Sequence, residues 1–270
     1  MWVRATFQAF NMSARESFYT YGVGSPATFL HFCHALGARA NVPVNLNRGV
    51  IPFVTYADIV GKKESFGKYV FDIPRPANRN KITGIGRTDI LRGHISGGVI
   101  FYINSDEQDD LEKLKSTLPA MRFGGGVLIS DKNCIMASST PEVLLRGIAG
   151  FTPEESSVST IRQMRTDLLL KKEDPDPDCD FIDLFLHSIT PHKSNGWKCP
   201  FLAGYRFLET PTKRMAARRI TERDVHVFAE PVLGVLKWVS CSKPKGEISA
   251  RWYINHNESG IRYSTKKMES

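Results

Sequence analysis

Cysteine patterns that would form disulfides or bind metal are missing from this chain. Its five cysteines, Cys33, Cys134, Cys179, Cys199 and Cys241, are odd in number and none stands in a C-x-x-C pair. That indicates neither a zinc ribbon nor a disulfide framework. Reduced, mostly structural thiols in a cytoplasmic protein are the simplest account. No apolar run approaches the roughly 20 residues that cross a bilayer as a helix. Met1-Trp2-Val3-Arg4 opens without the apolar core of a signal peptide, so no membrane contact is expected. Negative charge is in short supply: Lys and Arg number 36 against 28 Asp and Glu, a net +8. The excess points to an anionic partner without identifying it, and a basic surface with no partner has the same composition. Internal repeats and low-complexity tracts are absent.

What is present begins with Pro119-Ala120-Met121-Arg122-Phe123-Gly124-Gly125-Gly126-Val127-Leu128-Ile129. The stretch closes a helix-like run and opens a strand-like one. Three glycines remove every Cβ at the junction, so the backbone can take positive φ and approach a neighbour closely. The triplet does not fit G-x-G-x-x-G. No Lys-Ser or Lys-Thr follows to make a P-loop, and no helix follows either. A tight helix-to-strand connection with no ligand is the plainer reading. With Arg122 at its edge, a phosphate-approaching turn is the functional one.

The hydrophobic fraction of 41% over 270 residues is enough for one large domain, or for a core domain with an appendage. Residues 2–10 alternate as a strand. Ser25 and Pro26 start a helix that carries Phe29, Phe32, Cys33 and Leu36, with Gly37 as its stop signal. A strand pattern follows at 49–60. Residues 61–94, rich in Gly, Pro, Asn and basic side chains, read as an inserted hairpin arm with a short strand at 68–73. A buried strand at 95–104 comes next. A helix capped by Ser105 and Asp106 then carries Leu111, Leu114, Leu118 and Met121, and a strand at 126–130 closes the unit. This order predicts an α+β fold with a ferredoxin-like, RNA-recognition-type core. The core with its arm spans 1–135, a variable helical insertion 136–200, and a basic and apolar segment packing back on the core 201–270. Within the insertion, 158–170 and 181–189 read as helices.

Two basic clusters suit an extended phosphate backbone. The arm carries Arg75, Arg79, Lys81, Arg87 and Arg92. The C-terminal segment carries Arg206, Lys213, Arg214, Arg218 and Arg219, with Arg214 and Arg218 on one helical face. Either cluster alone also reads as a solvated charged face. Tyr19, Tyr21, Phe71, Phe123, Tyr205 and Phe207 flank basic or glycine-rich stretches, where they can stack bases or simply pack a core. The Gly-Phe and Phe-x-Phe aromatic pattern of RNA-recognition motifs is absent. A catalytic alternative rests on His31 and His34, at i and i+3 of the first helix: metal-independent RNA cleavage needs an acid and a base, and Tyr19 or Lys63 would assist His31. A hydrogen-bonded structural histidine is the competing reading for His34. No metal-ligand set is evident.

Four stretches together resemble a known family. They are Gly24-Ser25-Pro26-Ala27-Thr28-Phe29 with Phe32-Cys33-His34-Ala35-Leu36, the run from Asn78-Arg79 to Arg92, Ala120 to Gly126, and Ala203-Gly204-Tyr205 with Phe228-Ala229-Glu230-Pro231-Val232-Leu233-Gly234 and Trp238. They look like the handle-binding subunit of type I-F CRISPR surveillance complexes, the second subunit of the Csy complex, within the repeat-associated RNA-binding superfamily. The match thins between 140 and 195. The resemblance implies a non-catalytic subunit without cofactor or metal that binds the 5′ handle of the crRNA and caps the backbone subunits. It also implies contact with a large subunit where one exists. In a compact variant lacking that subunit, it implies recognition of the motif beside the target in double-stranded DNA. It makes Arg122, Gly124, Gly125, Gly126 and the arm residues the expected RNA contacts, and the C-terminal cluster the expected RNA or DNA contacts.

Overall fold

The alternation at the N-terminus becomes β1 (Trp2–Ser13). Val3, Ala5, Phe7 and Ala9 are buried on one face, while Thr6, Gln8 and Phe10 are exposed on the other, as a period of two dictates. A computed structural model describes residues 1–13, 25–59, 62–63, 69–70, 92–155, 197–212, 226–241 and 251–267. In α1 (Pro26–Ala40) the Ser25 side chain accepts from the Thr28 amide, and Pro26 occupies the first turn, where a missing N–H costs nothing. The helix does not stop at Gly37, as the sequence suggested. It runs on to Ala40 and closes on Asn41 in the left-handed conformation, φ 55°. Gly37 serves packing instead: a Cβ there would lie 2.5 Å from Val44 Cγ2 and 2.9 Å from the Val42 carbonyl oxygen. The chain leaving the helix can therefore fold back along it.

A 3-10 turn (Leu46–Arg48) leads to β2 (Ile51–Ile59). The short β3 (Lys62–Lys63) and β4 (Tyr69–Val70) pair with each other, and β5 (Arg92–Tyr102) returns to the main sheet. In α2 (Gln108–Thr117) the acidic first turn is Asp109 and Asp110, where the helix dipole favours carboxylates. The cap is Glu107, without a side-chain bond, rather than Ser105 or Asp106. Ser105 Oγ accepts from the Glu107 amide at 3.1 Å, and Asp106 takes the N-terminal ammonium at 3.1 Å. Then follow β6 (Arg122–Phe123), β7 (Gly126–Ile129), β8 (Ile135–Ser138), α3 (Pro141–Leu145) and β9 (Phe151–Glu155). The last strands are β10 (Trp197–Phe207), β11 (Ala229–Ser240), β12 (Tyr253–Asn257) and β13 (Gly260–Ser264).

The result is an α+β fold on one large antiparallel sheet, in the order β12-β13-β10-β11-β9-β2-β5-β1-β7-β6, with β8 beside the first half of β1. Residues 136–155 supply strands and a short helix to this architecture. The boundary at 135/136 falls in β8 and that at 200/201 in β10. The helices read at 158–170 and 181–189 lie outside the described residues. The two halves of the sheet meet where Val54 of β2 pairs with Phe151 of β9. The Val50–Trp252 bridge and the Trp252 Nε1–Pro153 O bond, 2.8 Å, lie beside that junction.

α1 and α2 cover one face of the sheet. Phe29, Phe32, Leu36, Leu114 and Leu118 join Val3, Phe7, Val99 and Phe101 in a core that also takes in Phe201, Leu236, Trp238, Trp252 and Tyr263. α3 covers only one end of the opposite face, where Leu144, Leu145 and Ile148 meet Trp2, Ile51, Phe53 and Ile100. Arg4 donates from Nη1 to the Leu144 carbonyl at 2.7 Å and so ties α3 down. The Cys33 and Cys134 thiols are buried and free; burial pushes Cys33 up, and pushes the half-buried Cys241 to about 11. None of these three is poised as a nucleophile. No helix among the described residues is long and apolar enough to cross a membrane.

Candidate nucleic-acid interface

The glycine triplet does not join a helix to a strand, as its sequence suggested; it closes a hairpin. The helix has already ended, and Met121 follows a 3-10 turn (Leu118–Ala120). Arg122 and Phe123 pair with Val127 and Gly126, and Gly124-Gly125 form the loop with φ 55° and 78°. Two positive φ values suit a type I′ turn, which matches strand twist and favours glycine. Gly126 matters for another reason: a Cβ there would lie 2.6 Å from the Phe10 carbonyl oxygen and 2.8 Å from the Met12 nitrogen. The Gly125 tip faces open space. Arg122 is exposed, and its Nη1 lies 3.4 Å from the Gly125 carbonyl oxygen, so the guanidinium sits over its own turn. Phe123, for which base stacking and core packing were both open, is fully buried against Phe7, Phe29 and Phe32.

Beside this hairpin, β1 carries a bulge. The register with β5 shifts between Ala9 and Met12, so Phe10 and Asn11 together oppose His94. Asn11 has φ 56°. Its N–H donates to His94 Nδ1 at 3.1 Å, and its carbonyl accepts from Arg92 Nη1 at 3.0 Å. With Nδ1 accepting, the neutral imidazole carries its proton on Nε2. The Phe10 and His94 ring centroids are 5.4 Å apart. Arg122 lies opposite Val127, and Val127 opposite Phe10. Ser13, at the end of β1, pairs with Arg92 on one side and donates its N–H to the Gly124 carbonyl on the other, so Arg92, at the end of the arm, and Arg122, in the glycine hairpin, stand at the same corner of the sheet. No family model matches this chain, and no curated protein does.

Arg75, Arg79, Lys81, Arg87, Lys213, Arg214, Arg218 and Arg219 lie outside the described residues, as do Tyr19, Tyr21 and Phe71. Arg206 on β10 faces its cross-strand partner Glu230, Nε to Oε1 3.6 Å. It sits five strand spacings from β1, roughly 24 Å, too far to share a phosphate with Arg122. Tyr205 is exposed and Phe207 half-buried on that same distant strand.

His31 and His34 lie on the exposed side of α1. His31 Nε2 is 2.8 Å from Tyr263 Oη, and burial pushes that phenol up to about 12. The arrangement ties α1 to β13. Among the described residues no group of three His, Cys, Asp or Glu side chains is placed to hold a metal ion. Burial, and secondarily the charge of His34, hold His31 below its ordinary 6.5. The unfolded chain therefore takes up this proton first as pH falls through 6.5, and the contribution to stability drops there and is constant above it. His31→Gln is expected to flatten the acid side of the Tm–pH profile. An unchanged slope in thermal unfolding at pH 7.5, 6.5 and 5.5 would assign that slope to other groups.

Sequence reasoning missed Phe10, Tyr56 and His94. Phe10 carried a signal, since it is an aromatic in the polar phase of an alternating strand. Tyr56 did not: the register of β2 against β5 shifts between Val54 and Tyr56, which breaks the phase a reader would count.

Proposed function

We propose that this chain is the non-catalytic, crRNA-handle-binding subunit of a type I-F CRISPR surveillance complex. In this role it caps the backbone subunits in the cytoplasm and contacts the large subunit where one is present. Near the target it meets double-stranded DNA, with its C-terminal basic segment as the candidate contact. The carrying observation is that two stretches named from sequence for the same role, the end of the arm and the glycine hairpin, bring Arg92 and Arg122 to one corner. The strand order β2-β5-β1-β7 supports a ferredoxin-like core: it is the order a split βαβ repeat produces, with α1 following the first strand and α2 the third. The arm falls between β2 and β5, the second and third strands of that core. Net charge of +8 agrees with a polyanionic partner.

The test is binding of the purified protein to labelled guide RNA bearing its natural 5′ handle, against a scrambled handle, at several salt concentrations. Preferential binding of intact RNA is expected. Arg122→Glu should weaken binding and reduce the salt slope by about one, and Arg79→Glu with Arg87→Glu should weaken it further. Cleaved RNA would replace this reading with the His31 and His34 nuclease; salt-labile binding without preference would remove the handle assignment.

A further inference from the structure

The face of β2-β5-β1-β7 opposite α1 and α2 has two unlike ends. One lies under α3. On the other, Phe10, Tyr56, Val127 and Ile129 are 37%, 58%, 53% and 54% exposed. Single exposed apolar residues are ordinary, but these four are placed by register on one surface. Phe10 is opposite Val127 and Gln8 opposite Ile129, while Gln8 and Tyr56 both lie opposite Ser96. The rings of Phe10 and His94 are in contact. The surface therefore holds three flat side chains, two aliphatic ones and the Gln8 amide.

Charge along this face is polarised. Arg122 stands on β6 and Arg92 on β5, two residues from His94, whereas Asp58 stands opposite His94 on β2. A nucleic-acid backbone is attracted to the arginines at the edge, which leaves its bases to reach across the rings. A duplex cannot use such a surface, because its base faces are already stacked and proteins reach it through phosphates and 2′-hydroxyls. An unpaired strand can, since every base has a face to stack. An apolar protein partner would use the rings and aliphatics but has no need of the arginine corner.

Resting on the RNA-binding reading above, we propose that this open face is a stacking platform for unpaired bases of single-stranded RNA. Phe10 with His94 forms one station and Tyr56 a second. Arg122 and Arg92 hold the phosphates at the edge. Gln8 lies beside the stations, two residues from Phe10 on β1 and across Ser96 from Tyr56, with an amide that can donate to and accept from a base edge.

The experiment uses the full chain with labelled single-stranded oligoadenylate and oligouridylate, and a blunt A·U duplex of the same length. Phe10→Ala and Tyr56→Ala should each weaken single-strand binding about 5- to 100-fold with an unchanged salt slope. The duplex should be affected little, and Tyr56→Phe should bind like the wild type. Arg122→Glu should instead lower the salt slope. Both ring positions are exposed, and circular dichroism with thermal unfolding reports whether each variant is folded. Folded alanine variants that bind single strands like the wild type overturn the platform, as does an equal loss on the duplex. A wild-type dimer that Phe10→Ala dissociates overturns it too, and assigns the face to a second copy of the chain. Ring-dependent binding without preference for the natural handle keeps the platform and removes the CRISPR assignment. Handle preference that ignores the rings does the reverse.

Discussion

Phe123→Ala lowers the unfolding free energy by about 3–5 kcal/mol, the range for deleting a buried aromatic. The residue is two positions before the exposed hairpin tip yet has no exposed surface. Its ring centroid lies 4.7 Å from Phe29, 5.2 Å from Phe7 and 5.5 Å from Phe32. One side chain from β6 thus locks an edge hairpin to both α1 and β1. Alanine leaves a void walled by three rings, which are too rigid to collapse into it. Urea unfolding checks this: the midpoint should fall with the m-value unchanged. A loss under about 1 kcal/mol would mean that the ring cluster refills the space.

The second large effect comes from Gly98→Val on β5. A Cβ at Gly98 would lie 2.1 Å from the Ala5 carbonyl oxygen and 2.7 Å from Phe53 Cζ; at the neighbouring Gly97 it would lie 2.3 Å from the Phe53 carbonyl oxygen. Both flanking strands therefore press on the middle of β5, and backbone atoms cannot yield as a flexible side chain can. Relief would require β1 and β5 to separate at the centre of the sheet. The expected loss exceeds the roughly 1–3 kcal/mol of ordinary overpacking and is a large share of the stability of a typical domain. Gly125→Ala is the contrast: its Cβ meets nothing within 4 Å. Only the positive φ of 78° opposes it, at about 1–2 kcal/mol. Thermal unfolding of the two variants side by side should separate crowding from conformation.

These two cases also mark what could be read in advance. Phe123 was legible as a large apolar residue near a glycine turn, but its direction was not. Whether it stacked a base or filled the core depended on the hairpin being two residues long, which placed it on the helix-covered face. The strand reading at 95–104 gives Gly97 and Gly98 no part, and only the proximity of Ala5 and Phe53 supplies a reason for them. The strands β1, β2, β5 and β7 and the helices α1 and α2 were readable because their apolar periods are local. The same local logic failed at Gly37, where the cause lies seven residues on at Val44. It failed again over β8 and β9, short strands whose partners are distant in sequence. At the site, Arg92 and Arg122 were chosen for charge and glycine context. Their placement on either side of the end of β1 depends on strand order, which no local pattern encodes.

The junction of the two sheet halves has a mechanical side. β9 is laddered to β11 from Phe151 through Glu155, but among the described residues it pairs with β2 only at Val54–Phe151. Force applied across that line loads one rung, the Val50–Trp252 bridge, the Trp252 indole and the His31–Tyr263 contact, whereas each neighbouring ladder shares its load among more rungs. Under tension this line is expected to yield before the ladders on either side of it, once the apolar core shared by both halves is pulled open. The strands from β2 to β7 then separate as an intact plate, with the arginine corner and the rings still aligned on its surface.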